Sequence, residues 1–201
     1  MQSLITSCVQ GRATVRPALI LAALCLSAII LVACRQENPG PEASSDAAMH
    51  RANPQRTGVY LTEGPLAYES IKWQFQADDW VFGAPAVVDD TVYITSYDGF
   101  AYAADRETGA EKWRFDTGET IIASPAVAGN LVYVANMLGT IVALDGVDGA
   151  ERWRVEAGTG FSGSPAVVDE TLYIGGENGL LLALDAQTGE VFVRYNARHD
   201  F

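Results

Sequence analysis

Residues 83–115 read GAPAVVDDTVYITSYDGFAYAADRETGAEKWRF, residues 123–155 read ASPAVAGNLVYVANMLGTIVALDGVDGAERWRV, and residues 163–195 read GSPAVVDETLYIGGENGLLLALDAQTGEVFVRY. The three stretches align without insertion or deletion. Pro85, Pro125 and Pro165 recur every 40 residues. Gly99, Gly139 and Gly179 do the same, as do Asp105, Asp145 and Asp185, and Gly109, Gly149 and Gly189. Regularity of this kind means one structural unit used three times.

Each unit divides into four short strands. The first begins at the proline, where its missing N–H is tolerated. Asp89-Asp90, Gly129-Asn130 and Asp169-Glu170 make the first turn. The second strand (TVYIT, LVYVA, TLYIG) is rich in β-branched and aromatic residues. Asp98-Gly99 and Asn178-Gly179 make the next hairpin, where positive φ is wanted. A third strand follows, then a turn at Gly109, Gly149 or Gly189, then a fourth strand carrying Trp113, Trp153 or Val193. Runs such as LVYVA and LLLAL are apolar on both faces, which suits a small sheet lying between two others. Hairpins throughout imply antiparallel sheets and argue against a solenoid. The expected fold is all-β: β-propeller-type blades of four antiparallel strands. Trp73 lies 40 residues before Trp113, so residues 70–76 read as an orphan fourth strand of a preceding unit. Three full repeats plus one orphan strand predict an incomplete propeller over residues 50–201.

The third and fourth strands resemble the pyrroloquinoline-quinone-like (PQQ-like) repeat family through its docking motif Ala-x-Asp-x-x-Thr-Gly-x-x-x-Trp. The first unit matches it at Ala103, Asp105, Thr108, Gly109 and Trp113. The second keeps Ala143, Asp145, Gly149 and Trp153, with Asp148 at the threonine place. The third keeps Ala183, Asp185, Thr188 and Gly189, but Val193 replaces the tryptophan. The resemblance implies a structural role for these residues. The tryptophan lies between blades, the glycine admits a close ring, and the aspartate accepts hydrogen bonds from turn amides.

The first 33 residues read as an export signal. Arg12 and Arg16 precede ALILAALCLSAIILVA, residues 18–33, which contain no charge. As a helix this run is roughly 24 Å long, short of the ~30 Å hydrocarbon core. Leu31-Val32-Ala33-Cys34 resembles a bacterial lipobox. In that family the signal is cut before the cysteine and its sulfur is acylated, so Cys34 is the expected lipid anchor. Cys8 and Cys25 fall within the signal, and the mature chain would then keep no thiol for a disulfide or a nucleophile. Residues 34–49, rich in Pro, Ser, Ala and Glu, read as a flexible tether. The chain carries 13 Lys and Arg against 25 Asp and Glu. Losing Arg12 and Arg16 with the signal leaves 11 against 25, a net charge of −14. Such a surface argues against nucleic acid.

The number of repeats leaves three explanations open: a fragment of a longer frame, a partial propeller completed by self-association through open blade edges, or a small ring. An open array would expose apolar blade faces.

No constellation in the sequence supplies chemistry. Asp145 and Asp148 lack the alternating acidic ligands of a calcium loop. His50 and His199 lie far apart without cysteine partners. Ser124 and Ser164 sit in Ser-Pro pairs with no histidine base nearby. Quinone-dependent dehydrogenases of the resembled family imply a larger propeller, a calcium ion, a catalytic aspartate and often a vicinal disulfide. No catalytic aspartate maps onto this chain, and no metal or cofactor is expected.

Trp80, Phe82 and Phe161 lie in the segments entering two of the units; packing between blades is the leading reading of them, and a ligand or partner surface at one rim is the alternative. The leading expectation is a non-catalytic, extracytoplasmic, lipid-anchored scaffold. It would bind a protein partner in the cell envelope, in the style of the BamB-like lipoproteins of outer-membrane protein assembly, anchored to the cell membrane or the outer membrane. Alternatives are a fragment of a PQQ-dependent dehydrogenase and a propeller that senses a small ligand or glycan.

Overall fold

The computed structural model describes residues 70–197. The expected signal peptide, Cys34 and the tether lie outside the described residues. Within them the strands are β1 (Ala86–Val88), β2 (Thr91–Thr95), β3 (Phe100–Asp105), β4 (Glu111–Asp116), β5 (Ala126–Ala128), β6 (Leu131–Ala135), β7 (Thr140–Asp145), β8 (Glu151–Glu156), β9 (Ala166–Val168), β10 (Thr171–Gly175), β11 (Leu180–Asp185) and β12 (Val191–Asn196). They form three four-stranded antiparallel meanders, β1–β4, β5–β8 and β9–β12. The short first strands come together, with β5 beside both β1 and β9. There the Ala84 N–H donates to Ser124 Oγ at 2.8 Å and the Ser124 N–H donates to Ser164 Oγ at 3.0 Å. Both Ser-Pro hydroxyls therefore tie one sheet to the next.

Alternation along each strand sends residues to two different interfaces. In the first sheet Val92 and Ile94 meet Trp73 and Phe75, whereas Tyr93, Ala101 and Trp113 meet Val132, Val134, Val142 and Leu144 of the second sheet. Tyr133, Ile141 and Trp153 of the second sheet meet Leu172, Ile174 and Leu182 of the third in the same way. This is why β2 and β6 are buried along their whole length. In β10 the pattern breaks: Leu172 and Ile174 are buried, but Tyr173 is 43% exposed. Leu181, Val193 and Tyr195 are exposed with it. One face of the third sheet has no covering sheet among the described residues.

Residues 70–76 differ from expectation. They form no strand. A strand needs a hydrogen-bonded neighbour, and none of the described residues supplies the third strand of that unit. Their side chains dock all the same: Phe75 meets Tyr102 edge-on at 5.2 Å, and Trp73 packs against the first sheet.

The contact that sets one sheet on the next is made by Trp113 and Trp153, and Trp73 repeats it from the strandless segment ahead of the first sheet. The Nε1–H of Trp73 donates to the Arg106 carbonyl at 2.8 Å, that of Trp113 to the Gly146 carbonyl at 3.0 Å, and that of Trp153 to the Ala186 carbonyl at 2.9 Å. Each indole lies on a glycine of the following unit. A Cβ at Gly109, Gly149 or Gly189 would come within 2.7, 2.7 and 2.8 Å of the ring atoms of Trp73, Trp113 and Trp153. These glycines also sit at φ of +74°, +72° and +75°, where a Cβ is disfavoured. A bulge positions the rings in the β4-type strands. Ala103 pairs with Trp113 and Ala104 with Glu111, leaving Lys112 unopposed. Arg152 and Phe192 occupy the same place in the other sheets. The extra residue re-aims the tryptophan toward the neighbouring blade.

Gly149→Ala should destabilise the protein by about 2–3 kcal/mol, from the left-handed backbone and the overlap with Trp113. Adding Trp113→Val should cost less in that background than in wild type, because the ring is already displaced. Urea midpoints of the two single variants and the double variant check this.

Candidate functional site

The three periodic aspartates are held by their own turns. Asp105 Oδ1 accepts the Glu107 and Thr108 amides at 3.1 and 2.8 Å and the Thr108 hydroxyl at 2.8 Å. Asp185 repeats this with the Gln187 and Thr188 amides and the Thr188 hydroxyl. In the second unit Asp148 replaces the threonine. Its carboxylate still accepts a turn amide, that of Ala150 at 2.9 Å, but an ionised carboxylate has no proton to give. Arg152 takes over, with Nη2 at 2.6 Å from Asp145 Oδ2, joined by Asn130 Nδ2 at 2.9 Å. Asp105, Asp145 and Asp185 are all held below the usual carboxylate range. The leading causes are the Thr108 hydroxyl for Asp105, the Arg152 guanidinium for Asp145 and the Thr188 amide for Asp185. Their geometry locks the turns, with all three carboxylates committed to turn amides, hydroxyls or Arg152.

The loops entering each unit form a rim. In every unit an amide from the hairpin between the second and third strands donates to a carbonyl of the entering loop. The pairs are Tyr97 to Trp80 at 2.7 Å, Met137 to Thr120 at 2.9 Å and Glu177 to Gly160 at 3.0 Å. The backbone is thus the same three times, but the side chains are not. The first unit places Trp80, Phe82 and Tyr97 there; the second places Thr120, Ile122 and Met137; the third places Gly160, Ser162 and Glu177. Phe82 meets Trp80 at 5.5 Å and Tyr97 at 5.7 Å between ring centroids, both edge-on. Trp80 is 70% exposed, Phe82 53% and Tyr97 42%. With Asp79 they line a cavity of about 390 Å³.

Phe161 is not part of this rim. It is fully buried in the core between the second and third sheets. Its position in the repeat is that of Ile121, not of Phe82. The Phe161 amide donates to the Asn136 carbonyl, as the Ile121 amide does to Ser96, and both side chains turn inward. Tyr97 was not legible as a rim residue, because the sequence does not say which hairpin meets which entering loop. Register supplies the signal: position 97 faces position 80 in every repeat.

Every Lys and Arg among the described residues is already engaged. Lys72 faces Glu107, Lys112 faces Asp90, Arg114 faces Glu111, Arg152 faces Asp145 and Arg154 faces Glu151. Arg106 and Arg194 donate to the carbonyls of Asp89 and Ala157. A second groove of about 320 Å³, between the first two sheets, is lined by Asp90, Lys112, Asn130 and Gly146. In its lining Lys112 pairs with Asp90, and Asn130 donates to Asp145. Tyr93 donates to the Gly146 carbonyl at 3.1 Å. The equivalent Tyr133 is fully enclosed by the third sheet, and burial pushes its hydroxyl up to about 12. Among the described residues no group of three His, Cys, Asp or Glu converges as a metal site.

A family model described as outer membrane protein assembly factor BamB matches residues 69–196. Among solved structures, BamB from Moraxella catarrhalis is 31% identical with a TM-score of 0.58, over 64% of this chain and 41% of that one. Quinohemoprotein alcohol dehydrogenase from Comamonas testosteroni superposes with a TM-score of 0.68 at 22% identity, over 77% of this chain and 28% of that one, a likeness of fold alone. Quinohemoprotein alcohol dehydrogenase ADHIIG from Pseudomonas putida HK5 is 27% identical with a TM-score of 0.54, over 62% of this chain and 21% of that one. The chain therefore spans less than half the length of each of these structures. No curated protein sequence matches it.

A depressed folded pKa means that Asp145 contributes stability above the unfolded carboxylate pKa, roughly 4, and loses it as pH falls through the folded value. Arg152→Met should raise the folded pKa of Asp145 toward the ordinary range. Stability should then fall less steeply as pH drops below about 4. Carboxyl chemical shifts and urea midpoints across that range check it.

Proposed function

Because the chain belongs to the family described as outer membrane protein assembly factor BamB, we propose that it is a non-catalytic, extracytoplasmic scaffold that holds a protein partner in the cell envelope. The observation that carries this is the aromatic rim. Trp80, Phe82 and Tyr97 occupy places that the second unit fills with Thr120, Ile122 and Met137 and the third with Gly160, Ser162 and Glu177, all on one shared backbone. The fold does not demand aromatics there. Three exposed rings beside a carboxylate are what a partner surface uses, since tryptophan and tyrosine dominate binding hot spots.

Anchoring through Cys34 would keep this rim close to a membrane, with residues 34–49 as the tether. The family description points to a partner in outer-membrane protein assembly. The non-catalytic reading is supported by the periodic aspartates, whose carboxylates are committed to turn amides, hydroxyls and Arg152. The likeness to quinohemoprotein dehydrogenases is explained by the shared blade. Dye reduction by the full-length gene product, given the quinone and calcium with an alcohol or sugar, would reverse this assignment.

A photoreactive residue in place of Phe82 should capture one envelope protein in cells. The same residue in place of Leu138, exposed on the second unit's hairpin, should not. Trp80→Ala should lower capture about tenfold or more and leave the unfolding midpoint within about 0.5 kcal/mol of wild type. Equal capture from both positions, or none from Phe82, would sink the scaffold reading.

A further inference from the structure

We infer that the Trp80–Phe82–Tyr97 rim seats an Arg- or Lys-bearing segment of its partner, with the cationic head over the aromatic faces beside Asp79. The inference rests on the scaffold function above and names the chemistry of its partner. Three observations carry it. The edge-on contacts of Phe82 with both Trp80 and Tyr97 leave exposed ring surface around the cavity. Indole and phenol faces carry negative electrostatic potential and attract guanidinium and ammonium groups. Asp79 lines the same cavity, so a cation seated there would meet a carboxylate as well as the rings. The described residues hold no cation that serves this place, since each Lys and Arg is tied to a carboxylate or carbonyl elsewhere. The whole chain is strongly acidic, at −12, which steers a basic segment toward it.

The fold itself supplies a contrast. Where Arg114 does meet a ring, it lies 5.8 Å from the centre of Phe100, which belongs to its own sheet. That cation–π pair is internal. The rim offers the same acceptor chemistry, and no cation of the described residues fills it. Saccharides also stack on aromatic rings, but the charge around this cavity gives a neutral sugar no advantage over a cation.

The test uses the full chain and two acetylated peptides, one with two arginines between apolar residues and one with citrulline at both places. Citrulline keeps the shape and removes the charge. Calorimetry should show the arginine peptide binding at least about tenfold tighter, with affinity falling as salt rises. Trp80→Ala should abolish the preference, Trp80→Phe should keep part of it, and Asp79→Asn should weaken the arginine peptide about threefold to tenfold. Equal affinity for the two peptides overturns the inference, as does tighter binding of a neutral oligosaccharide. Mapping the peptide captured from position 82 separates the two levels. A captured segment without Lys or Arg overturns the cation inference and leaves the scaffold standing. Failure to capture any partner counts against the scaffold, while the peptide comparison still decides whether the rim prefers cations.

Discussion

The indole-on-glycine contact is what the rest of the structure depends on. A four-stranded sheet of this size buries too little surface to stand alone. Its two apolar faces need neighbours, and the neighbours must sit at one fixed offset. Trp73, Trp113 and Trp153 set that offset. Each ring lies flat on a glycine with no Cβ, and each N–H reaches a carbonyl of the adjacent turn. Ring stacking alone would let the sheets slide. The hydrogen bond at the ring's edge removes that freedom, since a buried indole N–H left unpaired is costly.

Two local devices serve this contact. The bulge at Lys112 and Arg152 turns the tryptophan toward the next blade, and the aspartate turn holds the carbonyl that the indole needs. The second unit shows how the turn tolerates change. With Asp148 in the threonine place, the missing hydroxyl donor is replaced by the Arg152 guanidinium, which comes from the bulged residue itself. Bulge and turn are thus coupled in that unit. The third unit abandons the tryptophan: Val193 is exposed on the face that no described sheet covers, and the bulged Phe192 is exposed beside it. Tyr173 and Leu181 share that face, where their counterparts Tyr93 and Ala101 are buried against a following sheet.

Repetition also separates what the fold requires from what it permits. Positions with the same side chain in every unit serve packing or turns. Positions that share a backbone bond but not a side chain are free to carry function. The rim follows the second pattern. Three aromatics gathered in one unit, on loops whose conformation needs none of them, are a cost in exposed apolar surface that packing does not offset.

The sequence by itself determined the strands, their order within each unit, the turns and the docking residues, because each of these is local and is written three times. Tertiary structure alone decided three things. Residues 70–76 form no strand, since pairing needs a neighbour and not only a propensity. Phe161 belongs to the core and not to the rim, since a one-residue difference in register sends its side chain inward beside Leu172 and Ile174. Tyr97 joins Trp80 and Phe82, since the contact between a hairpin and its entering loop is made in space, and the period repeats that contact without revealing it.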